Sequence, residues 1–220
     1  MRPICLGFLQ LLLVLFLFGS CAREALDVEQ ELRQESLLGE DRKGPMYDEM
    51  DKIKETPLGK KLFKGLIPIK FEYDPSMRPG RMGYVGMGVI RYSGDLESPV
   101  GPLVFHELFH VYQTKEKVVA SRNNEIEAYV AQYLYYMSLE GAKKKNFWAV
   151  SNEFRAIIIK LADYARRYPE YQTGDPEFRR LYGLALYYLR QSTLYGTNTN
   201  YTEDPTLCSF PNLFLMLNQS

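Results

Sequence analysis

The chain has 220 residues, no net formal charge and 46% hydrophobic residues, the balance of an ordinary globular protein. Charge therefore gives no reason to expect nucleic acid or an anionic surface as a partner. With the first twenty or so residues set aside, about one domain's worth of chain remains, enough to bury a core without disulfides or a structural metal. Of the three cysteines, Cys5 lies in an apolar leader and Cys21 at its end. Cys208 then stands alone in the remainder, so an internal disulfide is excluded there. Its apolar surroundings (Phe210, Leu213, Phe214, Leu215) suggest a small buried hydrophobe. The 17 tyrosines suit half-buried positions, which implies either a tyrosine-rich core or an aromatic groove.

Arg2 and the apolar run over 11–18 have the build of a secretory signal, since the run is too short to span a bilayer comfortably. It stops at Phe18-Gly19-Ser20-Cys21. That junction resembles the bacterial lipobox, with Phe18 where an aliphatic residue is usual. The resemblance implies a signal peptide over 1–20, a lipid on Cys21, and a lipid-anchored place in the bacterial cell envelope, on the periplasmic or cell-surface side. Residues 21–45 are rich in Glu, Gln, Asp and Arg and read as a tether, with transient helix between Leu26 and Leu38. The folded domain is expected over 46–220.

Within it, a helix is expected over 46–54, ending before Thr56-Pro57. Alternation over 67–73 predicts a strand with Ile67, Ile69 and Phe71 on one face. Turn residues fill 74–80, and 83–92 reads as a second strand. Gly83, Gly86 and Gly88 in that strand signal a bulge or the close approach of another backbone. A helix starting at Pro99 or Pro102 runs through Tyr112 and is apolar nearly all round, the mark of a helix buried mid-domain. Further helices are expected from Asn123 or Asn124 to 139, over 148–166, and from Asp175 or Pro176 to 194. Sheet first and helices after predict an α+β class: a mainly helical domain with a small sheet ahead of the central helix.

That helix carries His106-Glu107-Leu108-Phe109-His110, and these are the only two histidines in the chain. Residues four apart share a helix face, so both imidazoles can reach one metal ion, and Glu107 projects beside it, placed to take a proton from water. Unpaired imidazoles in so apolar a helix would be costly to bury, which favours a metal over a core role. Zinc suits two nitrogens and a carboxylate with one position open. No third histidine exists, so the third ligand must be Asp or Glu, or less readily Tyr. The next helix offers Asn124-Glu125-Ile126-Glu127-Ala128.

Here the chain resembles the gluzincins, the thermolysin-like zinc peptidases, over roughly residues 102–139. The resemblance places Glu125 as third ligand, preceded by Asn124 and followed by Ala128 at a small position. Glu127 is the rival, on another helix face; its bland reading is a reciprocal cap with Asn124. Where the family has an acidic residue that supports a histidine, this chain has Tyr129, so either its hydroxyl or another group must serve. The resemblance further implies a zincin-like fold, a peptide or protein substrate, and Glu107 as the base acting on zinc-bound water. A second oxyanion donor would have to be Tyr or Arg, with Tyr112, Tyr195 and Tyr201 conceivable. It also implies an extended substrate laid along a sheet edge, for which the strand over 83–92 is the candidate. The alternative is a non-catalytic, lipid-anchored binding protein with a structural or relic zinc site.

Overall fold

A computed structural model of the chain describes residues 44–96, 99–168, 174–196 and 200–219. The expected signal peptide, Cys21 and the tether lie outside the described residues, except that Gly44 and Pro45 at the tether's end are described and Pro45 opens the first helix. Among those described there are seven α-helices, one 3-10 turn (Lys144–Asn146) and one three-stranded sheet, an α+β arrangement as expected. No helix among them is long and apolar enough to cross a membrane.

Helices α1 (Pro45–Glu55) and α2 (Pro57–Phe63) each begin with a proline in the first turn, where its missing N–H costs nothing. Thr56 breaks the run between them. Its hydroxyl donates to the Ile53 carbonyl at 2.7 Å and accepts from the Gly59 N–H at 3.0 Å. Gly59 is required at that corner, because a Cβ would sit 1.8 Å from the Ile53 oxygen. Helix α2 was not anticipated from the sequence. At seven residues it is too short to stand without the tertiary contacts that bury Leu62.

The sheet differs from expectation in two ways. Strand β1 covers only Lys70–Tyr73, with Ile69 buried just ahead of it and Ile67 half-buried. The expected single strand over 83–92 is a hairpin, β2 (Met82–Gly86) and β3 (Val89–Tyr92). Met87 and Gly88 turn the chain with φ of 52° and 74°, the left-handed pair that tight hairpins favour. Both of the glycine readings hold. The ladder shifts register between Tyr84 and Gly86, and a Cβ on Gly88 would lie 2.0 Å from the Pro68 carbonyl oxygen. The strand order is β1-β3-β2, with β3 parallel to β1 and antiparallel to β2, so β3 is paired on both sides and β2 forms an edge.

Helix α3 (Gly101–Thr114) runs through the centre, packed between β2, α1 and α4 (Arg122–Ser138). Its Val104, Phe105, Leu108, Phe109 and Val111 are all fully buried, and α4 is buried almost all round. Phe105 stacks on Tyr135 of α4 with ring centroids 4.4 Å apart.

The outer helices are amphipathic. α5 (Asn152–Arg167) buries Phe154, Ile157, Ile158 and Leu161 at i, i+3, i+4, i+7, and α6 (Pro176–Gln191) buries Phe178, Leu181, Tyr182 and Ala185 in the same rhythm. α5 starts at Asn152 rather than near Trp148 because Ser151 caps it, accepting from the Phe154 N–H at 3.1 Å; Trp148 lies outside, half-exposed. α6 ends at Gln191, short of 194, where Ser192 turns the chain and accepts from the Tyr195 N–H. α7 (Pro211–Leu217), also unanticipated, buries Leu213 and Met216. Cys208 is only half-buried, packed at the margin of the core rather than inside it. The tyrosine surplus is largely core: Tyr129, Tyr133 and Tyr182 are among the largest fully buried side chains.

Candidate metal centre

Helices α3 and α4 lie against each other, and each presents one polar stripe in an apolar surround. On α3, His106 and His110 come together one turn apart, their Nε2 atoms 3.0 Å from each other. On α4, Glu125 meets them, with Oε2 3.4 Å from both Nε2 atoms. One ligand atom from each of the three residues falls within a 4.8 Å sphere of separation. Glu125 Oε2 is buried and has no hydrogen-bond partner. A buried carboxylate oxygen left over beside two imidazole nitrogens calls for a cation.

The electrostatics agree. Burial opposes charge on His110, but the Glu125 carboxylate outweighs it and pushes the ring up to about 9. Burial likewise opposes charge on Glu125, and the imidazoles, His110 first, outweigh it and hold the carboxyl well below its usual range. The cluster therefore holds a proton when it holds no other cation. The donor set of two imidazoles and a carboxylate fits a divalent metal, zinc among them.

The Nδ1 atoms are held from behind. His106 Nδ1 lies 3.1 Å from Gln132 Oε1, and His110 Nδ1 lies 2.8 Å from Gln113 Oε1. An amide oxygen only accepts, so each Nδ1 carries the hydrogen and each Nε2 is the nitrogen offered to a metal. Tyr129 is not that support: its ring meets His106 edge-on with centroids 4.7 Å apart, and its hydroxyl shares a hydrogen bond with Tyr195 instead. Both glutamines were missed from the sequence. Their spacing carried a signal, Gln113 three residues after His110 and Gln132 seven after Glu125, each on the face of its ligand.

Glu107 is buried as well. Burial pushes its carboxyl above the usual range, against the pull of the two imidazoles. Its Oε2 accepts the Tyr84 N–H of β2 at 2.8 Å, taking the place of a further strand on that edge. Glu107, His106, His110 and Glu125 all line one cleft of about 790 Å³. Gly83, Tyr84, Tyr195 and Tyr201 line it as well.

Glu127 points elsewhere. It accepts from Gln113 Nε2, Asn212 Nδ2 and the Leu213 N–H, and it does not pair with Asn124, so the reciprocal-cap reading is corrected. Of the three tyrosines considered, Tyr112 does not line the cleft and its hydroxyl accepts from Gln219. Tyr201 donates to Glu125 Oε1 at 3.2 Å. Its segment is pinned to the start of α4 by Arg122, whose guanidinium donates to the Tyr195 and Tyr201 carbonyls, and by the paired backbones of Ala120 and Thr202. No protein-family model, no curated protein and no solved structure matches the chain.

Proposed function

We propose that the chain is a zinc-dependent hydrolase, a metallopeptidase of the gluzincin type with a zincin-like fold, anchored in the bacterial cell envelope by a lipid on Cys21. The observation that carries the reading is the convergence of His106 Nε2, His110 Nε2 and the unpartnered Glu125 Oε2 in an open cleft, with the Glu107 carboxylate beside them. A metal held by these three residues supplies Lewis acidity, which makes water a better nucleophile and polarises a substrate carbonyl.

The rest is done by the chain itself. Tyr84 holds one oxygen of Glu107, and among the described residues the other takes no hydrogen bond, leaving it to accept a proton from water and pass it to the leaving nitrogen. Burial favours that proton on Glu107. Tyr201 orients Glu125 through Oε1 and leaves Oε2 for the metal. Tyr195 lines the cleft and, among the described residues, bonds its hydroxyl to Tyr129 alone, which leaves it the tyrosine to meet developing negative charge.

The substrate path lies along β2. Gly83 pairs inward with Arg91, and the Tyr84 N–H points outward to Glu107. By alternation the carbonyls of Met82 and Tyr84 also point outward, where an extended peptide can pair with them. β3, expected to share this role, is excluded because both its edges are occupied.

The test is hydrolysis of a mixture of quenched fluorescent peptides by the zinc-loaded protein and by Glu107→Gln. The expected result is cleavage by the parent, reduced about 10²–10⁴-fold in the variant with zinc content unchanged. A parent that holds zinc and cleaves no peptide would leave the non-catalytic binding protein as the better account.

A further inference from the structure

The Gln113 amide that backs His110 is itself held, and its holder is Glu127. Gln113 Nε2 donates to Glu127 Oε2 at 2.9 Å and to the Asn124 carbonyl at 3.1 Å. Both partners are pure acceptors, so the NH₂ end of the amide must face them and the oxygen must face His110. Glu127 is 2% exposed and fully engaged: besides Gln113 it takes Asn212 Nδ2 at 3.0 Å and the Leu213 N–H at 2.7 Å. Every partner is a donor. A hydrogen-bond chain of fixed direction therefore runs from α7 through Glu127 and Gln113 to the Nδ1 of His110.

We infer that Glu127 is a positioning residue: its carboxylate decides which way round the Gln113 amide sits, and through that amide keeps the His110 proton on Nδ1 and offers Nε2 to the metal. The importance of that choice for metal binding rests on the metallohydrolase reading above; the direction of the chain does not.

Glu127→Gln is the informative change because it preserves shape and reverses polarity. The buried Leu213 N–H is a backbone donor that cannot turn over, so it keeps the amide oxygen at the Oε1 place, and the new NH₂ group faces Gln113 Nε2, donor against donor. Gln113 then turns over, presents its NH₂ to His110 and forces the hydrogen off Nδ1 and onto Nε2. Loss of such a supporting partner commonly lowers metal affinity about 10–100-fold.

The experiment uses the full chain labelled with ¹⁵N-histidine, in which only two rings give signals, together with a competition titration with zinc. With the metal-free spectra taken above pH 9, where the ring is neutral and carries one hydrogen, the expected result is a protonated Nδ1 on His110 in the parent and an unprotonated one in Glu127→Gln, with zinc affinity about 10–100-fold weaker. Asn212→Leu, which removes a tie to α7 and leaves Gln113 alone, should change neither. An Nδ1 still protonated in Glu127→Gln, or Asn212→Leu weakening zinc as much as Glu127→Gln, would overturn the inference. Should Glu127→Gln fail to fold, Gln113→Met at its half-buried position removes the oriented amide directly. The Nδ1–H must then lose its hydrogen-bonded shift and zinc affinity must fall, and no change in either would overturn the inference. A parent that shows the expected Nδ1 difference but binds no zinc would sink the metallohydrolase reading and leave the Glu127–Gln113 assignment standing.

Discussion

Asn123 holds the segment that carries Tyr201, and its truncation gives a sharp prediction. The side chain is 3% exposed at the start of α4. Its amide donates to the Asp204 and Leu207 carbonyls at 3.0 Å each and to the Tyr182 hydroxyl at 3.1 Å, and its oxygen accepts the Asp204 N–H at 2.9 Å. The two amide hydrogens are shared among three acceptors, so Asn123→Ala removes the equivalent of three bonds and leaves their four partner groups facing a small cavity. At about 1 kcal/mol net per bond the expected cost is about 2–4 kcal/mol, less if the segment swings out to water. The loss should be local. Thr202 remains paired with Ala120 and Arg122 through backbone bonds of 2.8 and 3.0 Å. Hydrogen exchange should therefore show the Asp204 amide losing protection while the Thr202 amide keeps it, alongside a urea denaturation that gives the global cost. A loss under about 0.5 kcal/mol with Asp204 still protected would refute the claim that this amide pins the segment.

Tyr201→Phe removes only the hydroxyl on Glu125 Oε1; zinc affinity should fall about tenfold with the unfolding midpoint nearly unchanged, as read by competition titration and thermal scan. Phe109→Ala, at a fully buried position on α3 between the two ligands, should cost about 3–5 kcal/mol in urea unfolding, and a cost below about 1 would mean the central helix is less tightly packed than described. In chelated protein, His110 is pushed from 6.5 up to about 9, so its stabilisation is complete below pH 6.5 and is lost as pH rises through about 9. Glu125 is shifted below 4.5, so its stabilisation is present above pH 4.5 and lost on further acidification. Unfolding of the chelated protein across pH should show this contribution fading from 6.5 to 9. Zinc should add most stability at the alkaline end of that window, because it needs the deprotonated ring. A chelated protein that gains stability over that window would contradict the assignment.

The α+β order, the central helix and the motif on it were readable because they depend on local periodicity: from Pro102 to Val111 α3 is apolar except at His106, Glu107 and His110, and the helix period brings the ligands to one face. The same period showed that only one of Glu125 and Glu127 could reach the metal, since two positions apart on a helix means different faces, but the choice of Glu125 came from the family resemblance and not from the period. The hairpin was read as one strand because its turn is Met87-Gly88, without the Asn-Gly or Asp-Gly signal that marks such turns, while the flanking residues keep alternating. Helices α2 and α7 were missed because seven residues carry too little period to register. The role of Tyr201 was out of reach in a different way. It sits 76 residues from Glu125, and only the tertiary pairing of its segment with the start of α4 brings the hydroxyl to the carboxylate.

The central claim is that His106, His110 and Glu125 hold a metal, and bound-metal content of the purified protein by mass spectrometry tests it most directly. The account predicts about one zinc per chain in the parent and none in Glu125→Ala or His110→Ala, with all three folded. A parent that binds no metal when zinc is supplied at neutral pH, or a Glu125→Ala variant that keeps its full complement, would contradict it.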